Sequence, residues 1–178
     1  MQMMDGFRPP FLLKNAHVQT ILASSKLRTL GSNSMRDAAR QKIIETDGGI
    51  KLLGCHSVQN GSRAKGLAIL LHGWEGSIDS TYLLRCGKSL YANGYDVFRL
   101  NFRDHGDSHH LNEGIFYAVL LEEVYQAIAQ VAAYSGGRPV FLIGFSLGGN
   151  FVLRILKKCA NVPIKNVCHA VSISLVLN

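Results

Sequence analysis

The chain has 178 residues, of which 47% are hydrophobic and 17% are charged, a balance typical of a globular protein with a substantial core. Its formal net charge is +7, but Lys157-Lys158 is the only adjacent basic pair, so the charge lacks the clustering expected of a nucleic-acid-binding protein. No apolar run of 18 residues is present, and Asp5 and Arg8 interrupt the region where a signal peptide would need its apolar core, which predicts a cytoplasmic protein without a transmembrane segment.

Residues 1–40 are predicted to form an N-terminal extension that wraps a core formed by residues 41–178. The extension contains the segment Asn15-Ala-His-Val-Gln-Thr-Ile21, followed by a loop rich in Ser, Gly and Asn at residues 31–34. We expect His17 to be a buried, hydrogen-bonded residue that holds the extension in place rather than a substrate contact.

Strand and helix patterns alternate along the core, which predicts an α/β fold. Continuous apolar runs such as residues 66–72 and 139–144 suit parallel strands that are buried on both faces. The predicted strands are residues 41–46, 50–58, 66–72, 96–101, 139–144 and 168–176, and the predicted helices are residues 79–93, 114–135 and 147–159.

A glycine-containing turn, His72-Gly-Trp-Glu-Gly-Ser77, follows the third predicted strand. Such a turn lets the backbone approach a bound carbonyl closely, and the group it would offer is an N–H, here that of Trp74. We interpret His72 as a residue that pins the turn by hydrogen bonding.

Acidic and histidine residues cluster after the fourth predicted strand. The cluster consists of Asp104, His105, Asp107, His109 and His110. Carboxylates and imidazoles at short spacing can ligate zinc or iron, so a metal site is one interpretation. The preferred interpretation is a structural loop, because the segment resembles a known Arg-x-x-Gly-x-Ser loop. That resemblance implies that Arg103 and Asp104 tie the loop to the segment around Ser146 by hydrogen bonds. The sequence therefore predicts no metal and no cofactor.

The segment Arg138-Pro-Val-Phe-Leu-Ile-Gly-Phe-Ser-Leu-Gly-Gly-Asn150 is the most informative part of the chain. Its apolar run ends at Gly-Phe-Ser-Leu-Gly, and a helical pattern begins within five residues, which leaves no room for an ordinary loop. So sharp a reversal forces Ser146 into a strained backbone conformation, and side chains at Gly144 and Gly148 would collide with the neighbouring chain. The hydroxyl of Ser146 should then be exposed at a helix N-terminus, at the carboxyl end of the sheet.

A serine in this position is suited to acyl transfer, because a helix N-terminus favours the negative charge that develops in the reaction. Ser146 is therefore predicted to be the nucleophile. The backbone N–H groups of Trp74 and Leu147 are predicted to donate hydrogen bonds to the oxyanion, and the loss of one such donor typically costs about 100- to 1000-fold in rate.

Four segments together resemble the YheT-like (embryogenesis-associated) group of α/β-hydrolases. They are Pro10-Phe-Leu-Leu-Lys-Asn-Ala-His-Val-Gln-Thr-Ile21, His72-Gly-Trp-Glu-Gly-Ser-Ile-Asp-Ser-Thr-Tyr82, Asn101-Phe-Arg-Asp-His-Gly-Asp-Ser108 and Gly144-Phe-Ser-Leu-Gly-Gly-Asn150. Gly-x-Ser-x-Gly is common to α/β-hydrolases, whereas Asn-x-His-x-Gln-Thr-Ile is specific to this group. The resemblance implies a mostly parallel central sheet with helices on both faces. It also implies a serine hydrolase of carboxylic esters, with relatives that act on acylglycerol or phospholipid esters.

The family order of catalytic residues is serine, then Asp or Glu, then histidine. After Ser146 the chain contains no Asp or Glu, and its one histidine, His169, is interpreted as a strand residue. The resemblance also implies more strands than the sequence predicts here. We therefore expect a chain that is truncated at the C-terminus and nearly inactive by itself, with a last strand whose exposed apolar edge promotes self-association.

Two alternatives to ester hydrolysis stay open. One is a non-catalytic binding or scaffold protein, and the other is thioesterase, transacylase or perhydrolase chemistry at the same serine. The expected partner is a small-molecule or lipid ester, with peripheral membrane contact as an open option and no nucleic acid. The cysteines are expected to be reduced thiols, because they show no metal-ligand spacing. They are Cys55, Cys86, Cys159 and Cys168.

Overall fold

The computed structural model describes residues 10–11, 14–15, 17–19, 31–60 and 63–175. Contacts divide the chain into two units, Met1–Ser32 and Asn33–Asn178. In the first unit, the backbone N–H of His17 donates to Asn15 Oδ1 at 2.8 Å, and the residue is exposed, so the expected burial of this histidine is wrong. Residues 16, 20 and 21 of the Asn15–Ile21 segment lie outside the described residues, and the wrapping of the core stays a prediction.

The described part of the second unit contains one six-stranded sheet, four α-helices and a 3-10 helix. The strands are β1 (Ala39–Glu45), β2 (Lys51–Ser57), β3 (Leu67–Leu71), β4 (Asp96–Leu100), β5 (Val140–Phe145) and β6 (Val167–Ile173). The helices are α1 (Ser34–Asp37), α2 (Thr81–Ala92), α3 (Leu121–Ala133) and α4 (Leu147–Cys159), with the 3-10 helix at Gly106–Leu111.

The strand order is β1-β2-β4-β3-β5-β6. β2 pairs antiparallel with β1 and β4, whereas β3 pairs parallel with β4 and β5, and β5 pairs parallel with β6. The predicted mostly parallel sheet is therefore confirmed. Leu71, the last residue of β3, lies opposite Leu100 of β4 and Gly144 of β5, so the turns after these strands meet at one edge. Ligands of open α/β sheets bind at this edge.

Helices cover both faces of the sheet. The residues of β3 pack against both layers, because successive side chains of a strand point in opposite directions. Leu67, Ile69 and Leu71 pack in a core cluster with apolar residues of α3 and α4. Leu70 packs in a second cluster with residues of α1 and α2, including the buried Met35. Every residue of β3 is fully buried, as its continuous apolar run predicts.

The helix predicted at residues 114–135 begins later, at Leu121. Phe116 is buried in an aromatic cluster, with its ring centroid 5.3 Å from that of Phe102 and 5.9 Å from that of Phe151. The neighbouring Val119 is 78% exposed, so the apolar residues before Leu121 do not share one helical face. A tertiary contact at Phe116 therefore outweighs the local helical pattern.

β6 pairs only with β5 among the described residues, which leaves its other edge open. His169 lies in this strand opposite Phe141, with the two rings stacked at 5.5 Å. The prediction of His169 as a strand residue is confirmed. Val171 and Ile173 of the same strand are 49% and 37% exposed.

Candidate active site

Ser146 stands between the last residue of β5 and the first residue of α4. Its backbone angles are φ 50° and ψ −114°, a conformation that costs a non-glycine residue free energy. The predicted strain at this serine is confirmed. Its N–H donates to Ile173 O at 2.8 Å, and its side chain is partly exposed and makes no hydrogen bond to another described residue.

Two glycines allow this turn to pack against its neighbours. A Cβ on Gly144 would lie 2.2 Å from Gly148 O, and a Cβ on Gly148 would lie 2.5 Å from His72 O and 2.6 Å from Leu71 O. Both predicted collisions are thus confirmed. The start of α4 therefore rests directly on the backbone at the end of β3.

The turn after β3 lies against Ser146. A Cβ on Gly73 would be 3.3 Å from both Ser146 Cβ and Phe145 O, so only a glycine fits comfortably between the turn and the serine. Gly76 N–H donates to Gly73 O at 3.0 Å and closes the turn, while Glu75 takes a left-handed conformation with φ 52°.

Two backbone donors flank this contact. The N–H groups of Trp74 and Leu147 donate to no acceptor in the part of the chain that the structure describes. Trp74 directly follows Gly73, and Leu147 directly follows Ser146, so each donor is one residue beyond the point where turn and serine meet. Such an arrangement can accept an anionic oxygen, and the assignment of these two groups to an oxyanion hole stays a prediction.

His72 is fully buried and uses both ring nitrogens within the protein. Its Nδ1 donates to Gly73 O at 2.7 Å, and its Nε2 accepts the N–H of Phe102 at 3.1 Å. Burial lowers the pKa of His72 from 6.5 to about 4, because the imidazolium would lose its hydration. The interpretation of His72 as a residue that pins the turn is confirmed, and its nitrogens are not free to act as a base.

The neutral state of His72 makes the protein less stable in acid. The unfolded chain takes up a proton on this residue near pH 6.5, whereas the folded protein does so only near pH 4, so stability falls as the pH drops between these values. We expect His72→Gln to remove about 3 kcal/mol of this pH dependence, because glutamine can accept the Phe102 N–H but does not titrate. Urea unfolding of the complete protein from pH 4 to 7 measures the effect.

The unmodified protein, unfolded in the same buffers, is the reference. A curve for His72→Gln that runs parallel to that of the unmodified protein would contradict the account of His72.

The loop after β4 is not tied to the Ser146 segment in the predicted way. Arg103 forms an ion pair with Glu123 of α3, and Asp104 accepts a hydrogen bond from His109 Nδ1 at 2.6 Å. Burial raises the pKa of Glu123, and Arg103 opposes that shift. The expected hydrogen bonds from Arg103 and Asp104 to the Ser146 segment are therefore wrong. In the described ranges, no group of three or more His, Cys, Asp or Glu side chains is placed to hold a metal ion.

An open pocket of about 390 Å³ lies beside the turn after β3. Its apolar wall includes Trp74, Ile115 and Phe116, and its polar side includes Glu75 and Asp104. The sequence did not predict this pocket, because Phe116 reaches it through a tertiary contact and the local pattern placed that residue in a helix.

No histidine hydrogen-bonds to the Ser146 hydroxyl among the described residues. His169 lies opposite Phe141, five residues before Ser146 along β5. At about 3.3 Å per strand residue, that is roughly 16 Å from the serine. His169 therefore sits too far along the sheet to take the proton of Ser146.

A model of the alpha/beta hydrolase fold family matches residues 68–172. A protein of Synechocystis sp. named as an esterase is 29% identical over 153 residues, which are 83% of this chain and 41% of that protein. A protein of Haemophilus influenzae named as an esterase/lipase is 29% identical over 97 residues, which are 54% of this chain and 31% of that protein.

Solved structures with related architecture include an esterase of Pyrococcus furiosus, with a TM-score of 0.65 and 23% identity over 83% of this chain and 54% of that one. An α/β serine hydrolase without a lid from Xanthomonas campestris has a TM-score of 0.58 and 20% identity over 68% of this chain and 57% of that one. At these identities the likeness shows a shared fold. The chain thus spans about half the length of these solved structures and less than half of both named relatives.

None of the helices in the described ranges has the length and apolar character needed to cross a bilayer.

Proposed function

Because the chain belongs to the alpha/beta hydrolase fold family, we propose that the complete protein hydrolyses carboxylic esters through an acyl-serine intermediate on Ser146. The observation that carries this proposal is the strained backbone of Ser146 at the N-terminus of α4, in contact with the turn after β3. The N–H of Trp74 in that turn donates to no acceptor among the described residues. The esterase names of the Synechocystis and Haemophilus relatives support the same reaction class.

In the proposed first step, Ser146 Oγ attacks the acyl carbonyl carbon and its proton passes to a histidine downstream in the complete protein. The carbonyl electron pair moves to oxygen, and the oxyanion accepts hydrogen bonds from Trp74 N–H and Leu147 N–H. Collapse of this intermediate expels the alcohol, which takes the proton from the histidine. Water then attacks the acyl-serine by the same sequence, and releases the acid and the free serine.

The site supports this chemistry electrostatically. The first turn of α4 directs unpaired N–H groups and the positive end of its dipole toward the place where negative charge develops. Because Gly144 and Gly148 fix the start of this helix against β3, the donors need little reorganisation during the reaction. No cofactor takes part in the proposed mechanism.

The proposed substrates are small or lipid esters, including acylglycerol esters. The apolar wall formed by Trp74, Ile115 and Phe116 supports an uncharged, apolar group on the substrate. The resemblance to the YheT-like group supports the same choice. We place the protein in the cytoplasm, with peripheral contact to a membrane when the ester is a lipid.

Product analysis tests the reaction class. The complete protein is incubated with oxygen esters, thioesters and acylglycerols, with and without an added alcohol as acyl acceptor. We expect free acid from the oxygen esters and none from the Ser146→Ala variant. Acyl transfer to the added alcohol in preference to water would instead support a transacylase, faster release from thioesters would support a thioesterase, and no product from any donor would support a non-catalytic scaffold.

We also propose that the 178-residue chain is nearly inactive by itself and self-associates through the open edge of β6. Val171→Lys should shift its sedimentation from oligomer toward monomer, because a lysine on an edge strand opposes pairing with another chain. Val162→Lys is the matched control, since Val162 is similarly exposed at 53% and lies outside the strand. A monodisperse monomer before any substitution would contradict the proposal.

A further inference from the structure

Tyr82, in the first turn of α2, contacts both halves of the candidate site. Its phenolic oxygen accepts the N–H of Gly73 at 2.9 Å. Its ring centroid lies 5.0 Å from that of Phe145, the residue immediately before Ser146. The side chain therefore bridges the turn after β3 and the reversal after β5.

The phenolic oxygen and the serine lie close to the same point. A Cβ on Gly73 would be 3.5 Å from Tyr82 Oη and 3.3 Å from Ser146 Cβ. A Cβ on Gly76 would be 2.6 Å from Tyr82 Oη. The two glycines of the turn thus make room for the phenol as well as for the serine.

The bond to Tyr82 completes the restraint of one peptide unit. The Gly73 carbonyl accepts from His72 Nδ1 at 2.7 Å and from Gly76 N–H at 3.0 Å. The peptide that joins Gly73 to Trp74 is planar and trans, so fixing this carbonyl also fixes the direction of the Trp74 N–H. Tyr82 restrains the other end of Gly73, because its phenolic oxygen accepts the Gly73 N–H.

The hydrogen-bond capacity of the phenol also matters. Tyr82 Oη accepts one hydrogen bond, and its own hydrogen donates to no other described residue, while the side chain is 39% exposed. The tyrosine is therefore not held in place by a second hydrogen-bond partner elsewhere in the described fold. The hydrogen bond of its side chain is the one that it accepts from Gly73 in the turn.

We propose that Tyr82 is a positioning residue for ester hydrolysis, which aligns the Trp74 N–H with the oxyanion by holding Gly73. This role rests on the proposed function of the site. The loss of the phenolic oxygen leaves the Gly73 N–H without its acceptor and lets the turn rotate. Such a change should affect the transition state more than the bound ester, because the oxyanion forms only during the reaction.

The test compares Tyr82→Phe with Tyr91→Phe in the complete protein. Tyr91 lies at the other end of α2, and its hydroxyl donates to Val58 O at 2.9 Å, so both variants lose one hydroxyl and one hydrogen bond from the same helix. We expect Tyr82→Phe to lower kcat by about 10- to 100-fold with KM within about twofold, and Tyr91→Phe to leave kcat unchanged. Rates are divided by the fraction of protein that a fluorophosphonate labels at completion, which corrects for misfolded molecules.

Replacement of Tyr82 by 3-fluorotyrosine, which keeps the phenolic oxygen as the acceptor of the Gly73 N–H, should recover most of the lost kcat and support the role. Equal kcat in Tyr82→Phe and Tyr91→Phe, or a change confined to KM, would overturn it while leaving the proposed function intact. If the unmodified protein neither hydrolyses an ester nor reacts with the fluorophosphonate, the proposed function itself fails, and this role fails with it.

Discussion

Ser146→Ala in the complete protein is expected to lower kcat for ester hydrolysis by about 10⁴- to 10⁶-fold, as removal of the nucleophile does in other serine hydrolases. Alanine cannot form the acyl intermediate, and the hydroxyl has no hydrogen-bond partner among the described residues that its loss would leave unpaired. The fold should therefore persist, with unfolding close to that of the unmodified protein. Steady-state hydrolysis of a chromogenic ester measures the effect.

Ser174→Ala is the matched control for this experiment. Ser174 directly follows β6, the strand beside β5, and it shares the positive φ of 50° with Ser146. Its replacement should leave kcat within about twofold. A Ser146→Ala variant that retains more than a few per cent of the activity would contradict the assignment of the nucleophile.

Gly144→Ala should have the second large effect, on both stability and activity. The new methyl group would lie 2.2 Å from Gly148 O and 2.6 Å from Gly149 N, which are backbone atoms that cannot move without displacing the start of α4. We expect a loss of about 3 kcal/mol or more in the free energy of unfolding, at the upper end of the range for overpacked sites. Urea unfolding and ester hydrolysis of the same preparation measure the two effects.

Gly136→Ala separates crowding from backbone strain. Gly136 has a φ of 58°, and a Cβ there would meet nothing within 4 Å, so this substitution should cost only the conformational strain of about 1 kcal/mol. Equal destabilisation by Gly144→Ala and Gly136→Ala would show that α4 does not pack on β5 as described.

Local sequence patterns were sufficient to predict the strands and the chain reversal at Ser146. A continuous apolar run is stable only in a strand or helix that is buried on all sides. The interval between β5 and α4 is so short that only a sharp turn can join them. The glycine positions follow from the same geometry, since Gly144 and Gly148 contact backbone within a few residues or on the adjacent strand. These features depend on short-range sterics, which the sequence expresses directly.

The features that the sequence did not reveal depend on tertiary contacts. Arg103 pairs with Glu123 and Phe116 packs on Phe151, and neither contact has a local signature. The hydrogen bond of Tyr82 to Gly73 joins a helix to a turn across nine residues, and a helical tyrosine looks alike whether it faces solvent or an active site. Such contacts form only in the packed fold, so the sequence alone does not reveal them.

The most direct test of the central claim is the intact mass of the complete protein before and after reaction with a fluorophosphonate, followed by peptide mapping of the adduct. The account predicts a single adduct on Ser146, formed at a rate that Ser146→Ala abolishes and Ser174→Ala does not change. No adduct, or an adduct on another residue that persists in Ser146→Ala, would contradict it.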